Sequence, residues 1–310
     1  MHDRTHSFGY WLRRRRKALD LTQDALAARV SCSGFSIRKI EADERRPSRR
    51  LAERLATSLA IPDEERRDFL DAAREGATFL WERLRDTDGR LLRTWKDGEG
   101  KILGYLEDHA YVTEALLVLY ESTFDERWFA AARETADAMI ERFADPERGG
   151  FFTTPADGEE LLVRRKDIDD HPIPSGSSSA AYALLRLAAL TAEHSYAEHA
   201  HSVFALFGRV AERHPHAVAH LLRAIDFDRA QVREVALVGS ELDDLAAVVR
   251  SRLRPHLVLA GGTAGTNEPP LMAERSEVDG RAAAYVCERF ACRAPVTDPS
   301  ELASALGDPG

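Results

Sequence analysis

The sequence is poor in sulfur-containing residues and has no long apolar run. Its 310 residues include three cysteines and three methionines. No stretch approaches the ~18 consecutive apolar residues of a membrane-spanning helix, and the first 20 residues carry charges instead of a signal-peptide core. Cys32, Cys287 and Cys292 have neither metal-site spacing nor a C-x-x-C redox motif. We therefore expect a cytoplasmic protein with reduced thiols, no membrane partner, no metal and no cofactor.

A positive net charge is also absent, but the charge is unevenly distributed. The formal net charge is −9 at pH 7, which by itself argues against a nucleic-acid partner. Residues 1–60 carry 14 Lys and Arg against 7 Asp and Glu, a balance of +7, and the remaining 250 residues carry −16. Because DNA phosphates are bound through local positive charge, this asymmetry is typical of a basic binding head on an acidic body.

Residues 22–41 predict two short helices joined by a tight turn. Thr22 and Ser33 are natural N-caps for the first and the second helix. Leu26, Ala27 and Val30 recur at helical spacing in the first helix, as do Ile37 and Ile40 in the second. The other face of the second helix carries small, hydrogen-bonding and basic residues, which suit base edges and phosphates. These residues are Gly34, Phe35, Ser36, Arg38 and Lys39.

The flanking residues predict three more helices, over residues 8–19, over residues 48–60 and from Pro62 onward. Five short helices in about 70 residues match a compact helix-turn-helix domain. The basic run from Arg13 to Lys17 could be a solvated helix face. Beside the helix-turn-helix pattern, we interpret it as a surface that faces phosphate.

The segment from Phe8 to Arg74 resembles the Xre/Cro-type, lambda-repressor-like family. The matching elements are Thr22-Gln23, Ile40-Glu41 and Arg45-Arg46-Pro47-Ser48, and Asp43 stands where the family usually has glycine. The resemblance implies that Gln23 contacts phosphate and that the second helix enters the major groove. The predicted DNA-binding residues are Gln23, Ser33, Gly34, Phe35, Ser36, Arg38, Lys39, Arg14, Arg45 and Arg46. The alternative is an amphipathic bundle without DNA binding.

Residues 76–232 alternate amphipathic helices with glycine-rich turns. This alternation is the pattern of an α/α-hairpin toroid. The predicted helices are 77–84, 108–122, 128–143, 180–190 and 196–212.

Several motifs here resemble the YyaL-like family, the relatives of spermatogenesis-associated protein 20. They are Gly104–Tyr111, Gly149–Phe152, Lys166–Asp167, Pro174–Ser178, Leu184–Ala188, Arg233–Gly239, Ala284–Cys287 and Cys292–Pro299. The resemblance covers residues 76–306 and implies an (α/α)6 barrel, similar in fold to N-acylglucosamine 2-epimerases and six-hairpin glycosidases, without an assigned reaction. Family members carry a thioredoxin-like domain and a full barrel of twelve helices, which needs nearly twice the length of residues 76–232. We therefore expect an incomplete toroid of about six helices. Its open apolar edge favours a homodimer.

Residues 233–310 predict a small α/β cap, with strands at 234–238, 256–260 and 283–287 and a helix at 243–253. The glycine-rich segment Gly261–Thr266 lacks the lysine of a phosphate loop and is followed by Pro269-Pro270, so a plain loop is favoured. The expected fold is mainly α: a five-helix helix-turn-helix domain (1–75), a partial toroid (76–232) and the α/β cap.

Two acidic clusters are candidate catalytic sites, because carboxylates at a barrel mouth can transfer protons. The first contains Glu107 and Asp108, and the second contains Asp170 and His171. The favoured alternative is helix capping. Six histidines between His194 and His220 lack H-E-x-x-H spacing and predict a solvated, pH-sensitive face instead of a metal site.

The sequence therefore predicts a transcriptional regulator that binds double-stranded DNA sequence-specifically, with the partial barrel serving in dimerisation or in sensing an unknown effector. The alternatives are a sugar-type isomerase or hydrolase with an accessory DNA-binding head, and a gene fusion whose product has little function. Of these, enzymatic activity is disfavoured by the shortened barrel.

Overall fold

The computed structural model describes residues 8–30, 32–42, 55, 63–159, 161–170 and 173–307. The chain divides into two compact units, Met1–Phe79 and Leu80–Gly310. The sequence-based division into residues 1–75, 76–232 and 233–310 stays a prediction.

The first unit contains α1 (Phe8–Ala18), α2 (Gln23–Arg29), α3 (Gly34–Glu41) and most of α4 (Asp63–Arg83). Both predicted N-caps are confirmed, since Thr22 Oγ1 accepts a hydrogen bond from Ala25 N and Ser33 Oγ accepts one from Ser36 N. The predicted helix over 48–60 lies outside the described residues, apart from Leu55. The core consists of Leu12, Leu26, Ala27, Val30, Ile37, Ile40 and Leu55.

The predicted start of a new helix at Ala77 is wrong. The helices predicted from Pro62 and from Ala77 form one element, α4, and Gly76 lies inside it. A glycine within a helix costs only about 1 kcal/mol relative to alanine, so Gly76 does not have to end the helix.

The second unit contains two helix hairpins, formed by α5 (Leu106–Thr123) with α6 (Glu126–Phe143) and by α7 (Gly176–Thr191) with α8 (His194–Arg213), followed by α9 (Ala219–Arg229). The four hairpin helices confirm predicted ones. Each hairpin turns at a left-handed residue, Phe124 (φ 56°) and Ala192 (φ 61°). These residues end α5 and α7 and reverse the chain.

Helices α5 to α9 pack in two rows. α7 contacts α5 on one side and α9 on the other, whereas α6 packs against α5 and α8 against α7. The inner row is therefore α5, α7 and α9, and the outer row is α6 and α8. Helix α9 was not predicted, and closure of these rows into a toroid stays a prediction.

An unpredicted β-hairpin, β1 (Leu92–Lys96) and β2 (Glu99–Leu103), precedes the inner row. Its turn residues Asp97 (φ 54°) and Gly98 (φ 84°) both have the positive φ that two-residue hairpin turns require. The Asp-Gly pair was the sequence signal for this turn.

The predicted α/β segment is confirmed and contains two further elements. It consists of β3 (Arg233–Val238), α10 (Asp243–Arg250), β4 (Leu257–Gly262), β5 (Ala283–Glu288), β6 (Ala291–Cys292) and α11 (Pro299–Ala305). The strand order is β4-β3-β5-β6. β3 and β4 are parallel, with α10 as the crossover, and the other pairs are antiparallel.

The expectation that all three cysteines are reduced is wrong for two of them. Cys287 and Cys292 face each other across the β5–β6 pair and form a disulfide. Sequence reasoning missed the bond because a C-x4-C spacing brings the sulfurs together only when the segment folds as a tight hairpin.

Across the described ranges, the helices lack the combination of length and apolarity that crossing a bilayer requires.

Candidate functional site

Helix α3 presents two chemically different faces. Ile37 and Ile40 are buried in the core of the first unit, while Phe35 and Arg38 are exposed on the opposite side. The Phe35 side chain is 57% exposed, and Lys39 Nζ lies 5.3 Å from its ring centroid. An apolar and basic surface is therefore available on the helix that follows the predicted turn.

The start of α3 is ordered by its own hydroxyl groups. Ser33 Oγ lies 3.0 Å from Ser36 Oγ and accepts the Ser36 backbone N–H at 3.2 Å. Each hydroxyl oxygen has two lone pairs and one proton, so both side chains keep hydrogen-bonding capacity toward a ligand. Their roles at DNA stay predictions.

Gly34 allows helix α2 to approach the first turn of α3 closely. A Cβ atom at this position would lie 1.8 Å from Asp24 Oδ1. The Asp24 carboxylate thus lies beside the N-terminus of α3, where the helix dipole favours a negative charge. This acidic residue borders the predicted DNA-binding face and was not identified from the sequence.

A buried ion pair holds α1 against the end of α3. Arg16 Nε lies 2.5 Å from Glu41 Oε1, and Arg16 Nη2 lies 2.9 Å from Glu41 Oε2. Arg16 Nη1 also donates to the Leu21 carbonyl at 2.7 Å. The interpretation of the whole Arg13 to Lys17 run as phosphate-facing is therefore wrong for Arg16, whereas Arg13, Arg14 and Lys17 are exposed.

Gln23 belongs to the same network, since its Nε2 donates to Glu41 Oε2 at 2.7 Å. Burial acts to raise the pKa of Glu41, but hydrogen bonds from Arg16 and Gln23 outweigh it and lower this pKa overall. Gln23 is therefore fixed in orientation, and its phosphate contact stays a prediction. The two other predicted DNA-binding residues, Arg45 and Arg46, lie outside the described residues.

In the second unit, the first candidate catalytic pair is engaged by a neighbouring arginine. Arg93 Nη2 lies 2.6 Å from Glu107 Oε1, and Arg93 Nη1 lies 3.0 Å from Asp108 Oδ2. Asp108 Oδ2 also accepts the Tyr105 backbone N–H at 2.8 Å. The Tyr105 contact is a helix cap, whereas the Arg93 contacts are ion pairs.

Asp170 satisfies backbone donors at two helix starts. Its Oδ1 accepts the Ser175 N–H at 2.8 Å, and its Oδ2 accepts the N–H groups of His220 at 2.7 Å and of Leu221 at 3.2 Å. The carboxylate thus joins the starts of α7 and α9. His171 lies outside the described residues.

The inner row carries a polar cluster that sequence reasoning missed. Glu114 on α5 lies 3.4 Å from Arg223 Nη1 and 3.6 Å from His220 Nε2, both on α9. The Arg223 guanidinium stacks 3.7 Å from the ring centroid of Tyr182 on α7. Burial acts to raise the pKa of Glu114, but the contact with His220 and the charge of Arg223 outweigh it and lower this pKa overall, so the group is a carboxylate at neutral pH.

Two of the histidines on the predicted face contact acidic side chains. His201 Nε2 lies 2.6 Å from Asp228 Oδ1, and His220 contacts Glu114 as described above. Within the described part of the chain, no three His, Cys, Asp or Glu side chains are placed to hold a metal ion together.

Comparison with known proteins finds similarity to a helix-turn-helix domain and to a second family. Residues 7–69 match the family model described as a helix-turn-helix domain. Spermatogenesis-associated protein 20 of Homo sapiens is 31% identical over 257 residues, which cover 77% of this chain and 33% of the human protein. The chain joins a helix-turn-helix domain to a region similar to spermatogenesis-associated protein 20.

Two other relatives show a similar degree of identity and coverage. Spermatogenesis-associated protein 20 of Mus musculus is 31% identical over 253 residues, covering 76% of this chain and 32% of the mouse protein. An uncharacterized protein of Caenorhabditis elegans is 26% identical over 281 residues, covering 83% of this chain and 38% of its own length. The chain thus spans about a third of the length of the curated relatives it matches.

Proposed function

We propose that this protein is a sequence-specific DNA-binding transcriptional regulator. The observation that carries the proposal is the two-faced helix α3, in which Ile37 and Ile40 are buried while Phe35 and Arg38 are exposed. It lies in a segment that matches a helix-turn-helix domain. A helix of this kind enters the major groove and contacts base edges.

Two kinds of contact to DNA would have different roles, one with bases and one with phosphates. Arg38 on α3 would read a base, because an arginine can donate two hydrogen bonds to the O6 and N7 atoms of guanine. Exposed Arg14 on α1 would neutralise phosphate without reading sequence. The Arg16–Glu41 pair holds these two helices together, which would keep both contacts in register on one duplex.

The second unit would serve in dimerisation or in ligand sensing. Regulators of this class bind two half-sites as dimers, which supports a homodimer. The cluster of Glu114, His220 and Arg223 supports sensing, because it joins polar side chains of α5 and α9 that a bound polar molecule would contact. His220 Nε2 is buried and makes no hydrogen bond among the described residues, since Glu114 Oε2 lies 3.6 Å away.

Catalysis by the second unit is the less favoured function. Asp170 already accepts three backbone hydrogen bonds, and Glu107 and Asp108 are paired with Arg93. A proton-transferring carboxylate needs an accessible lone pair within hydrogen-bond reach of the substrate.

The test is selection of DNA from a random duplex library by the purified full-length chain, at about 50 and about 200 mM salt. The expected result is enrichment of a two-fold symmetric site, with affinity falling at least tenfold between the two salt concentrations because phosphate contacts release counterions. Sedimentation of the complex with the enriched duplex would give two chains per site. A folded chain that enriches no sequence would refute the proposal.

A further inference from the structure

The β5–β6 hairpin holds two sulfur atoms in different surroundings. Cys287 on β5 is fully buried, with 0% of its surface exposed, whereas Cys292 on β6 is exposed. Between them, Arg289 (φ 51°) and Phe290 (φ 62°) form the left-handed turn. A reagent in solution can therefore reach the bond only from the side of Cys292.

A cation lies beside the buried sulfur. Arg275 Nη2 lies 3.6 Å from Cys287 Sγ, and the guanidinium carbon lies 5.3 Å from the ring centroid of Tyr285. Arg275 Nε is buried without a hydrogen-bond partner among the described residues. A guanidinium at a sulfur atom stabilises the thiolate, which is the form that leaves in disulfide exchange.

We propose that Cys287–Cys292 is a thiol–disulfide exchange site that accepts two electrons from a dithiol, with Arg275 as the residue that stabilises the leaving Cys287 thiolate. The geometry assigns the two sulfurs different roles: the exposed one is attacked, and the buried one leaves. This inference concerns the α/β segment and is independent of DNA binding.

The reaction balances with a dithiol as the reductant. One thiolate of the dithiol attacks Cys292 Sγ, the Cys287–Cys292 bond breaks, and its electron pair leaves on Cys287 Sγ beside Arg275. The second thiol gives its proton to solvent and attacks the mixed disulfide at the sulfur of the dithiol, expelling Cys292 as a thiolate. Both cysteine thiolates take up protons from solvent as required. The dithiol is oxidised to a disulfide, and the protein gains two electrons.

One neighbouring group opposes the thiolate. Glu234 lies across from Cys287 in the β3–β5 register, and its carboxylate is itself buried. Glu234 Oε2 accepts the Phe290 N–H at 2.6 Å, so this residue fixes the hairpin turn. Burial raises the pKa of Glu234, and in its ionised form this carboxylate opposes the thiolate. Arg275 offsets the loss of solvation at Cys287 and the charge of an ionised Glu234.

The experiment uses the full-length chain with Cys32→Ser, so that only the hairpin cysteines are scored. The protein is equilibrated with defined ratios of reduced and oxidised dithiothreitol, and the reduced fraction is read by maleimide labelling and intact mass. Arg275→Gln is compared with Arg293→Gln. Both remove one positive charge close to the pair, but Arg293 is exposed and lies 3.6 Å from Glu288.

The expected result is a wild-type pair that titrates reversibly while circular dichroism shows a folded chain. Arg275→Gln should lower the equilibrium constant for reduction about tenfold, equivalent to about 30 mV for this two-electron couple. Arg275→Lys should restore most of the loss, and Arg293→Gln should change the constant less than threefold. If Arg275→Gln does not fold, Arg275→Lys is compared with the wild type instead. The equilibrium constant and the rate of the first exchange step are then measured for both proteins.

Three outcomes would overturn the proposal. The purified chain could contain two thiols under air, the bond could resist reduction until the chain unfolds, or Arg275→Gln could match Arg293→Gln. The first two would make the pair non-exchanging, and the third would remove the role of Arg275.

Discussion

Arg186 on α7 and Glu121 on α5 form an ion pair in which Arg186 Nη2 lies 2.5 Å from Glu121 Oε2. The Arg186 side chain is only 2% exposed, so this partner compensates a buried positive charge. Glu121 Oε1 also accepts the Leu259 N–H of β4 at 3.3 Å. One carboxylate therefore connects two inner-row helices and the edge strand β4 of the sheet.

Replacing Glu121 should destabilise the second unit strongly. Glu121→Gln leaves the Arg186 charge buried without its paired carboxylate, which costs about 3 kcal/mol in free energy of unfolding. Urea unfolding followed by circular dichroism measures the loss. Glu99→Gln removes the same charge from an exposed pair with Lys101 and should cost less than about 1 kcal/mol. Equal costs for the two variants would contradict the assigned role of Glu121.

The Arg16–Glu41 pair should make the stability of the first unit depend on pH. The pKa of Glu41 is lowered in the folded protein, so its stabilisation is present above the unfolded value of about 4.3 and is lost as pH falls through the folded pKa. Hydrogen exchange of peptides covering α1 to α3 measures this in the full chain. Above pH 5, the backbone amides of α1 to α3 should be less protected from exchange in Glu41→Gln than in wild type. Below pH 4, this difference in protection should shrink. A difference that does not vary with pH would show that the charge of Glu41 is not responsible.

Two arginine substitutions should separate base reading from phosphate binding. Arg38→Ala should reduce affinity for the selected site by about 1–3 kcal/mol and relax preference at one base position. Arg14→Ala should weaken binding to selected and random duplexes equally and reduce the salt slope by about one. Titration of both variants with both duplexes gives the comparison. Parallel behaviour of the two variants would refute the placement of Arg38 in the groove.

Two glycines in helices of the second unit should respond oppositely to alanine. A Cβ at Gly176 would lie 2.9 Å from Glu107 N and 3.0 Å from Leu106 Cγ, whereas a Cβ at Gly208 meets nothing within 4 Å. Gly176→Ala should therefore destabilise by about 1–3 kcal/mol through overpacking. Gly208→Ala should stabilise by up to about 1 kcal/mol through helix propensity. Thermal unfolding of both variants checks the signs, and a stabilised Gly176→Ala would contradict the close approach of α5 and α7.

Features set by neighbouring residues could be read from the sequence, and those set by distant ones could not. Thr22 and Ser33 cap helices by contacts within three residues, so the sequence contained all the information needed. The Asp97-Gly98 turn was equally local, so the β1–β2 hairpin could have been predicted from the sequence. Arg16 was different, because nothing in a run of four arginines shows which side chain will face a glutamate 25 positions later.

The inner-row cluster was hidden for the same reason. Glu114 and Arg223 are 109 positions apart, and each alone reads as a solvated helix residue. Arg186 stands in an apolar helix whose pattern indicates burial but not its partner. The Cys287–Cys292 bond required the hairpin register, which a two-residue strand does not reveal.

The carboxylate of Asp170 has a consequence for what the inner row can recognise. Open helix beginnings with unsatisfied N–H groups attract phosphates and other anions from solution. Here the chain supplies its own anion to α7 and α9 at once, so an incoming negatively charged metabolite would first have to displace a covalently tethered competitor at that end. The two helices also share this one capping group, so natural variation at position 170 would have to be compensated in both of them simultaneously.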